Sequence, residues 1–287
     1  MIERIAILGT GLLGASAGLA LRAAGFRGSI VGWNRSPQSA QTALAAGALD
    51  AIATDPLQAA RESQVILLAT PVFAILDWME QLSGVLGPDH LITDVGSTKA
   101  QIAAAATRLY NQPGRAAFLP GHPMAGKEVS GAANADAALY RSAVWLFTDD
   151  PGAQRSAQAA ALVKDWREWV AAIGARPINL DPARHDELVA WVSHLPQFVS
   201  TAMSALLESE LGDAPELKDV GGRALREMTR LGSSPYSMWR DIAHTNTAQI
   251  EAVLHALEQR LAHVRENLRT SELRDEFDQA NRFRRQS

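Results

Sequence analysis

Along the first part of the chain, short apolar runs alternate with alanine-rich stretches whose apolar positions recur every three to four residues. Ile5–Leu8, Ser29–Trp33, Val65–Ala69, Leu91–Val95, Ala117–Pro120 and Ala143–Thr148 read as strands. Helical patterns fill the gaps at Gly14–Ala24, Pro37–Ala46, Pro56–Glu62, Val72–Leu82 and Lys99–Tyr110. Strand–helix alternation predicts an α/β, doubly wound parallel sheet, whose ligands sit at the carboxyl ends of its strands. A long helix over Ala153–Ile173 and a short strand over Arg176–Leu180 close this part. From Pro182 the periodicity is helical: Pro182–Glu210, Pro215–Leu231, Pro235–Asn246, and Thr247 to about Phe283. Leu254, Leu257, Leu261, Val264 and Leu268 give the last helix an apolar stripe, a dimer face or part of the core. The change of pattern places a domain boundary near Asp181, between an α/β domain, 1–181, and an all-helical domain, 182–287.

Composition narrows the function classes. The 287 residues carry a formal net charge of −4, so no overall positive field draws nucleic acid or an anionic membrane. With no cysteine, disulfides, thiol nucleophiles and iron–sulfur ligation are excluded. The seven histidines form no metal-binding spacing, so no metal is expected. No apolar run approaches the roughly 20 residues of a membrane span. A strand begins within a few residues of Met1, leaving no room for a signal peptide, and a soluble cytoplasmic protein is expected.

Gly9-Thr10-Gly11-Leu12-Leu13-Gly14 fits G-x-G-x-x-G. The pattern alone is weak, because glycines also mark ordinary turns. Here it follows a strand and opens a helix, the context a dinucleotide site requires. Gly9 serves the tight turn, Gly11 the approach of backbone amides to pyrophosphate, and Gly14 close helix–strand packing. At the end of the second strand, where NAD-preferring sites carry an acidic residue, the chain reads Asn34-Arg35-Ser36. A neutral amide does not repel a 2′-phosphate and Arg35 can pair with it, so NADP is favoured over NAD; a solvated loop arginine is the plain alternative. Thr70-Pro71 closes another strand beside the cofactor edge, and Pro71 also marks a helix start.

Asp94-Val95-Gly96-Ser97-Thr98-Lys99 lies at a strand–helix junction, where Ser97 suits either a polar ligand or a helix cap. His122, between Gly121 and Pro123 just past a strand, sits on constrained backbone and is suited to proton transfer near neutral pH. His194 falls inside a predicted helix, where Pro196 can kink the backbone and re-aim it. Arg226, Arg230 and Arg240 can bind carboxylates bidentately, although solvated or paired arginines are commoner.

With these blocks in order, the chain resembles the prephenate/arogenate dehydrogenases of tyrosine biosynthesis. The resemblance is carried by Gly9–Ser16 (GTGLLGAS), Asp94–Lys99 (DVGSTK), Gly121–Gly131 (GHPMAGKEVSG), Ser193–Pro196 (SHLP) and Thr229–Asp241 (TRLGSSPYSMWRD). It implies a Rossmann-like dinucleotide-binding domain followed by a helical domain for substrate binding and dimerisation. It implies NAD(P)-dependent oxidative decarboxylation of prephenate, or of arogenate, by a homodimer. His122 then looks like the catalytic histidine and Ser97 its polar partner. His194, Arg230 and Trp239 look like substrate-binding residues, with Glu128 at an acidic position of the motif. The chain departs from the family pattern at Ala224-Leu225-Arg226-Glu227 and at Leu231-Gly232, which touches fine positioning. A 3-hydroxyacid dehydrogenase or imine reductase would be expected to place a lysine at the hydride site. A non-catalytic NADP sensor would bind cofactor without turnover.

Overall fold

Parallel strands covered by helices on both faces must be apolar on both faces. β1 (Arg4–Leu8) and β4 (Val65–Leu68) meet that demand: Ile5 to Leu8 and all four residues of β4 are fully buried. The computed structural model describes residues 1–286. It places these two strands side by side at the centre of a six-stranded parallel sheet of order β3-β2-β1-β4-β5-β6. The remaining strands are β2 (Ser29–Trp33), β3 (Ala51–Ile52), β5 (Leu91–Asp94) and β6 (Ala117–Leu119). Successive side chains of a strand point to opposite faces. Ile5, Ile7 and Leu67 thus join one core with Trp145 and Trp166, while Leu8, Ile66 and Leu68 join the other with Trp78 and Met79.

Strand order reverses between β1 and β4, and a crevice opens at such a switch point. The loops after these strands, Gly9–Gly11 and Ala69–Pro71, face each other across it. Helices α1 (Leu12–Ala23), α2 (Pro37–Ala45), α3 (Pro56–Arg61), α4 (Val72–Ser83) and α5 (Ala100–Tyr110) make the crossovers.

The strand expected at Ala143–Thr148 forms as β8 (Val144–Phe147), but outside the main sheet. It pairs antiparallel with β7 (Gly121–Pro123) and parallel with β9 (Arg176–Asn179). β7 and the two-residue β3 are too short to leave a periodic signal. α6 (Ala157–Ala172) packs Leu162, Trp166 and Val170 under this second sheet.

The helical part is more broken than its periodicity predicts. α7 (Pro182–Val189) begins at Asp181, whose carboxylate accepts from the Ala183 and Arg184 amides. The expected run Pro182–Glu210 is then interrupted by a π-turn over Ala190–His194, where the Leu195 amide reaches back five residues to the Ala190 carbonyl. Pro196, which has no N–H to give, opens α8 (Leu195–Leu211). The expected Pro215–Leu231 helix becomes α9 (Leu217–Val220) and α10 (Arg223–Thr229), parted by Gly221-Gly222, with a 3₁₀ turn over Arg230–Ser233. α11 (Tyr236–Thr245) matches expectation. The last expected helix divides at Asn267 into α12 (Thr247–Glu266) and α13 (Glu272–Gln286). Its stripe is not core, for Leu261 and Leu268 are about 60% exposed. Among the described residues, no helix is long and apolar enough to cross a membrane.

The three glycines of the first loop make different demands. Gly9 has φ +104°, and a Cβ there would collide with the Ala69 carbonyl. A Cβ on Gly14 would strike the Gly9 carbonyl oxygen, whereas one on Gly11 meets nothing within 4 Å. Gly9→Ala and Gly14→Ala are therefore expected to destabilise the cofactor-free protein by about 1–3 kcal/mol, and Gly11→Ala to leave it unchanged. Thermal unfolding of the three variants checks the order; equal losses at all three would contradict it.

Candidate active site

The fingerprint loop meets α1 without a capping side chain, and no acidic residue occupies the first turn. Four amides at a helix start lack helical partners, so this end presents donors and the positive pole of the helix dipole. The hydroxyls of Thr10 and Thr70 on the facing loops are buried without a partner among the described residues. An open helix N-terminus, two orphaned hydroxyls and free space over Gly11 fit a pyrophosphate. At the end of β2, Asn34 accepts from the Ser36 amide, and Ser36 caps α2 by accepting from the Ser39 amide. Arg35 is exposed and makes no ion pair among the described residues.

Past the strand ends lies a buried polar cluster. Lys99 is fully buried and donates to Asp94 at 2.6 Å and to the Thr98 carbonyl at 3.2 Å. Asp94 also accepts from the amides of Gly96 (2.7 Å) and Gly121 (3.0 Å). Asp186, from α7, accepts from the amides of Lys99 (2.7 Å) and Ala100 (2.8 Å) at the start of α5, and from His185 Nδ1 at 2.8 Å. His185 Nε2 lies 2.9 Å from Nδ1 of His122, on β7. Burial lowers the pKa of Lys99, opposed by Asp94. Burial lowers both His122 and His185; the His185 charge adds to the fall at His122, while Asp186 opposes it at His185.

A cavity of about 620 Å³ opens between this cluster and the helical part. Gly11, Leu12, Leu13, Thr70 and Pro71 line one side, Ser97 and His122 the floor, and Trp239 the helical wall. The structure thus brings together the fingerprint, the DVGSTK junction, the histidine strand and the WRD segment of α11. His194 stands just behind the wall, held by the π-turn; it is buried, packs edge-on against Trp239 at 5.8 Å and meets the Asn246 amide at 3.3 Å. Arg230 and Glu128 are not in the wall. They form an ion pair, with Lys127 and Val129 on either side of Glu128 lining the cavity. Asn34, Arg35 and Ser36 also lie outside it, at the carboxyl end of β2 next to the fingerprint loop.

Residues 17–178 match the family described as prephenate dehydrogenase, nucleotide-binding domain, and residues 181–282 match prephenate dehydrogenase, dimerization domain. The chain belongs to the prephenate dehydrogenase family. It is 32% identical over 252 residues to a prephenate dehydrogenase of Bacillus subtilis, covering 87% of this chain and 66% of that relative, so it spans slightly less than two thirds of the relative's length. Among solved structures it resembles an A. aeolicus prephenate dehydrogenase in complex with hydroxyphenyl propionate and NAD+, with TM-score 0.87, 26% identity and coverage of 100% and 98% of the two chains. A Synechocystis arogenate dehydrogenase gives TM-score 0.77 and 27% identity, with 99% of each chain covered.

Within this prephenate dehydrogenase fold, sequence reasoning missed Asp94 and Lys99 as an ion pair and His185, Asp186 and Asn246 altogether, and it named Asp241 only as the end of a motif. A His-Asp pair of adjacent residues inside a short helix has no spacing signal. Buried Asp241 accepts from the Phe73 amide and from Arg240, tying α11 to α4.

Burial pushes His194 down to about 4, opposed by Asp186. An unfolded histidine titrates near 6.5, so below that value the unfolded chain binds more protons and stability rises with pH. The His194 contribution is whole above about pH 6.5 and drains as pH falls toward 4, about 3 kcal/mol in all. Denaturant midpoints should fall as pH drops through this window, and less steeply in His194→Gln. Parallel curves for the two proteins would contradict this assignment.

Proposed function

We propose that the protein catalyses the NAD(P)-dependent oxidative decarboxylation of prephenate to 4-hydroxyphenylpyruvate, with arogenate, which yields tyrosine directly, as the alternative substrate. The observation that carries this reading is His122, placed in the floor of a cavity shared by the fingerprint loop and the helical wall. Residues 1–181 hold the cofactor. Residues 182–287 complete the substrate pocket and form a homodimer, in keeping with the dimerization-domain match.

Gly9, Thr10, Gly11, Leu12, Leu13 and Gly14 cradle the dinucleotide with Thr70 and Pro71, and Asn34, Arg35 and Ser36 receive its ribose. The neutral amide of Asn34 and the unpaired Arg35 favour NADP over NAD. A bound nicotinamide supplies the two-electron acceptor. The protein's own chemistry concerns the proton and the carboxylate. His122 accepts the proton of the ring hydroxyl, with Ser97 as its polar partner. The developing carbonyl withdraws the electron pair of the ring carboxylate's C–C bond, CO₂ leaves, and the ring becomes aromatic. Trp239 lines the ring pocket, supported by His194. Arg230 pairs with the substrate carboxylate in exchange for Glu128, the carboxylate it pairs with in this structure. This contact must position the leaving group without binding ground and transition states equally, because uniform binding does not speed the step.

Reduced-nicotinamide absorbance, measured with prephenate or arogenate against NAD or NADP, should rise fastest with prephenate and NADP. A clear preference for NAD would overturn the role of Arg35, and silence in all four mixtures with cofactor bound would overturn the activity.

His122→Asn is expected to lose about 10²–10⁴-fold in turnover while keeping cofactor affinity by fluorescence titration. Near-normal turnover would remove His122 as the base.

A further inference from the structure

We infer that His185 and Asp186 are positioning residues that set which nitrogen of His122 accepts the substrate proton; this rests on His122 being the base. The polarity of the chain Asp186–His185–His122 follows from its fixed end. Asp186 is buried and accepts from two backbone amides, which can only donate, at the N-terminus of the 11-residue helix α5. An ionised carboxylate accepts only, so His185 Nδ1 carries a proton and donates to it. In a neutral imidazole the other nitrogen is then an acceptor. His185 Nε2 therefore takes the Nδ1–H of His122, and the lone pair of His122 falls on Nε2, the nitrogen left for the cavity. Were His185 cationic, both its nitrogens would donate, His122 Nδ1 would have to accept, and Nε2 would carry a proton. The base would become a donor. One neutral histidine thus decides whether the ring facing the substrate can take a proton at all.

Charge points the same way. The groups around His122 are Lys99 at the start of α5, Asp94 on β5, His185 and Asp186 on α7, and His194 in the π-turn, with Lys127 across the cavity. With the histidines neutral, the charges of this cluster are two carboxylates and one ammonium, a sum of −1; buried Asp241, on α11, is paired with Arg240. One proton from the substrate hydroxyl brings that sum to zero. The proton enters at His122 Nε2, and His122 Nδ1–H can pass to His185 Nε2, leaving the imidazolium beside Asp186. No further proton is accommodated without net positive charge in a buried cluster.

The test separates hydrogen-bond polarity from mere packing. His185→Leu removes the acceptor, whereas His185→Gln keeps an amide oxygen for His122 Nδ1–H and an N–H for Asp186. Turnover of His185→Leu should fall about 10- to 100-fold with cofactor KM unchanged, the acid limb of its pH–rate profile should move, and His185→Gln should recover most of the loss. Nitrogen-15 NMR of the wild-type protein should show His122 protonated at Nδ1, a readout that holds even where a variant fails to fold. Wild-type turnover and profile in His185→Leu, equal damage in both variants, or His122 protonated at Nε2 would each overturn the inference. Normal turnover in His122→Asn would instead remove the base on which it rests, a distinct failure.

Discussion

Three buried charges, Asp94, Lys99 and Asp186, form the constraint from which the rest of the site is built. Taking charges out of water costs several kcal/mol per ion, and the cost is offset only when every lone pair and proton finds a partner. Here each carboxylate has three donors, and the ammonium has a carboxylate and a carbonyl. Those donors belong to different parts of the chain. Asp94 gathers the amide after β5 and the first amide of β7, and Asp186 brings α7 to the start of α5. Satisfying the charges therefore fixes the relative placement of the main sheet, the second sheet and the first helix of the C-terminal part. Removing a single partner would strand a charge, which costs about 3–5 kcal/mol in buried pairs.

That placement produces the cavity. Because β7 is pinned at Gly121, His122 is presented at the strand ends beside the switch-point crevice. Because α7 is pinned at Asp186, the π-turn that follows it carries His194 behind Trp239. Thr98 and Thr245 meet at 2.8 Å, and Asn246 donates to the Asp186 carbonyl at 2.9 Å. These contacts bring the end of α11 to the same cluster. The cofactor cradle and the helical wall thus approach each other through polar contacts whose geometry is directional, rather than through apolar packing alone. Burial lowers the pKa of all three histidines of this cluster and so favours their neutral forms.

The fold was legible where periodicity was long. β2 spans Ser29–Trp33 as read, and the parallel sheet follows from apolar strands spaced by amphipathic helices. Short or interrupted elements were not legible. β7 has three residues after Pro120, and the π-turn preserves helical spacing on either side of its extra residue. The site was legible in part. The fingerprint and His122 stand at strand ends that a sequence pattern can locate. His185 and Asp186 could not be found that way, because their partners lie 63 and 87 residues distant along the chain. The one local clue was Pro196, whose missing N–H does predict a disturbed helix around His194, without predicting that the disturbance is a π-turn.

The apolar stripe of the C-terminal helices shows how a correct pattern can carry two readings. Ile250 and Val253 are buried in this chain, but Leu261, Leu268, Phe277 and Phe283 are more than half exposed. A helix face of period 3.6 says only that something covers it. At roughly 25 cal/mol per Å² of apolar surface, a few large side chains left in water forfeit several kcal/mol, a large share of a domain's net stability. Residues 181–282 match a dimerization domain, and a second copy of the same helices would supply such a surface. The helical part is held to the sheet domain by polar contacts around Asp186 and Asn246, while this apolar face is left uncovered in the single chain. The polar contacts build the cavity wall on the π-turn and α11, whereas the exposed apolar face lies along α12 and α13, the helices that follow.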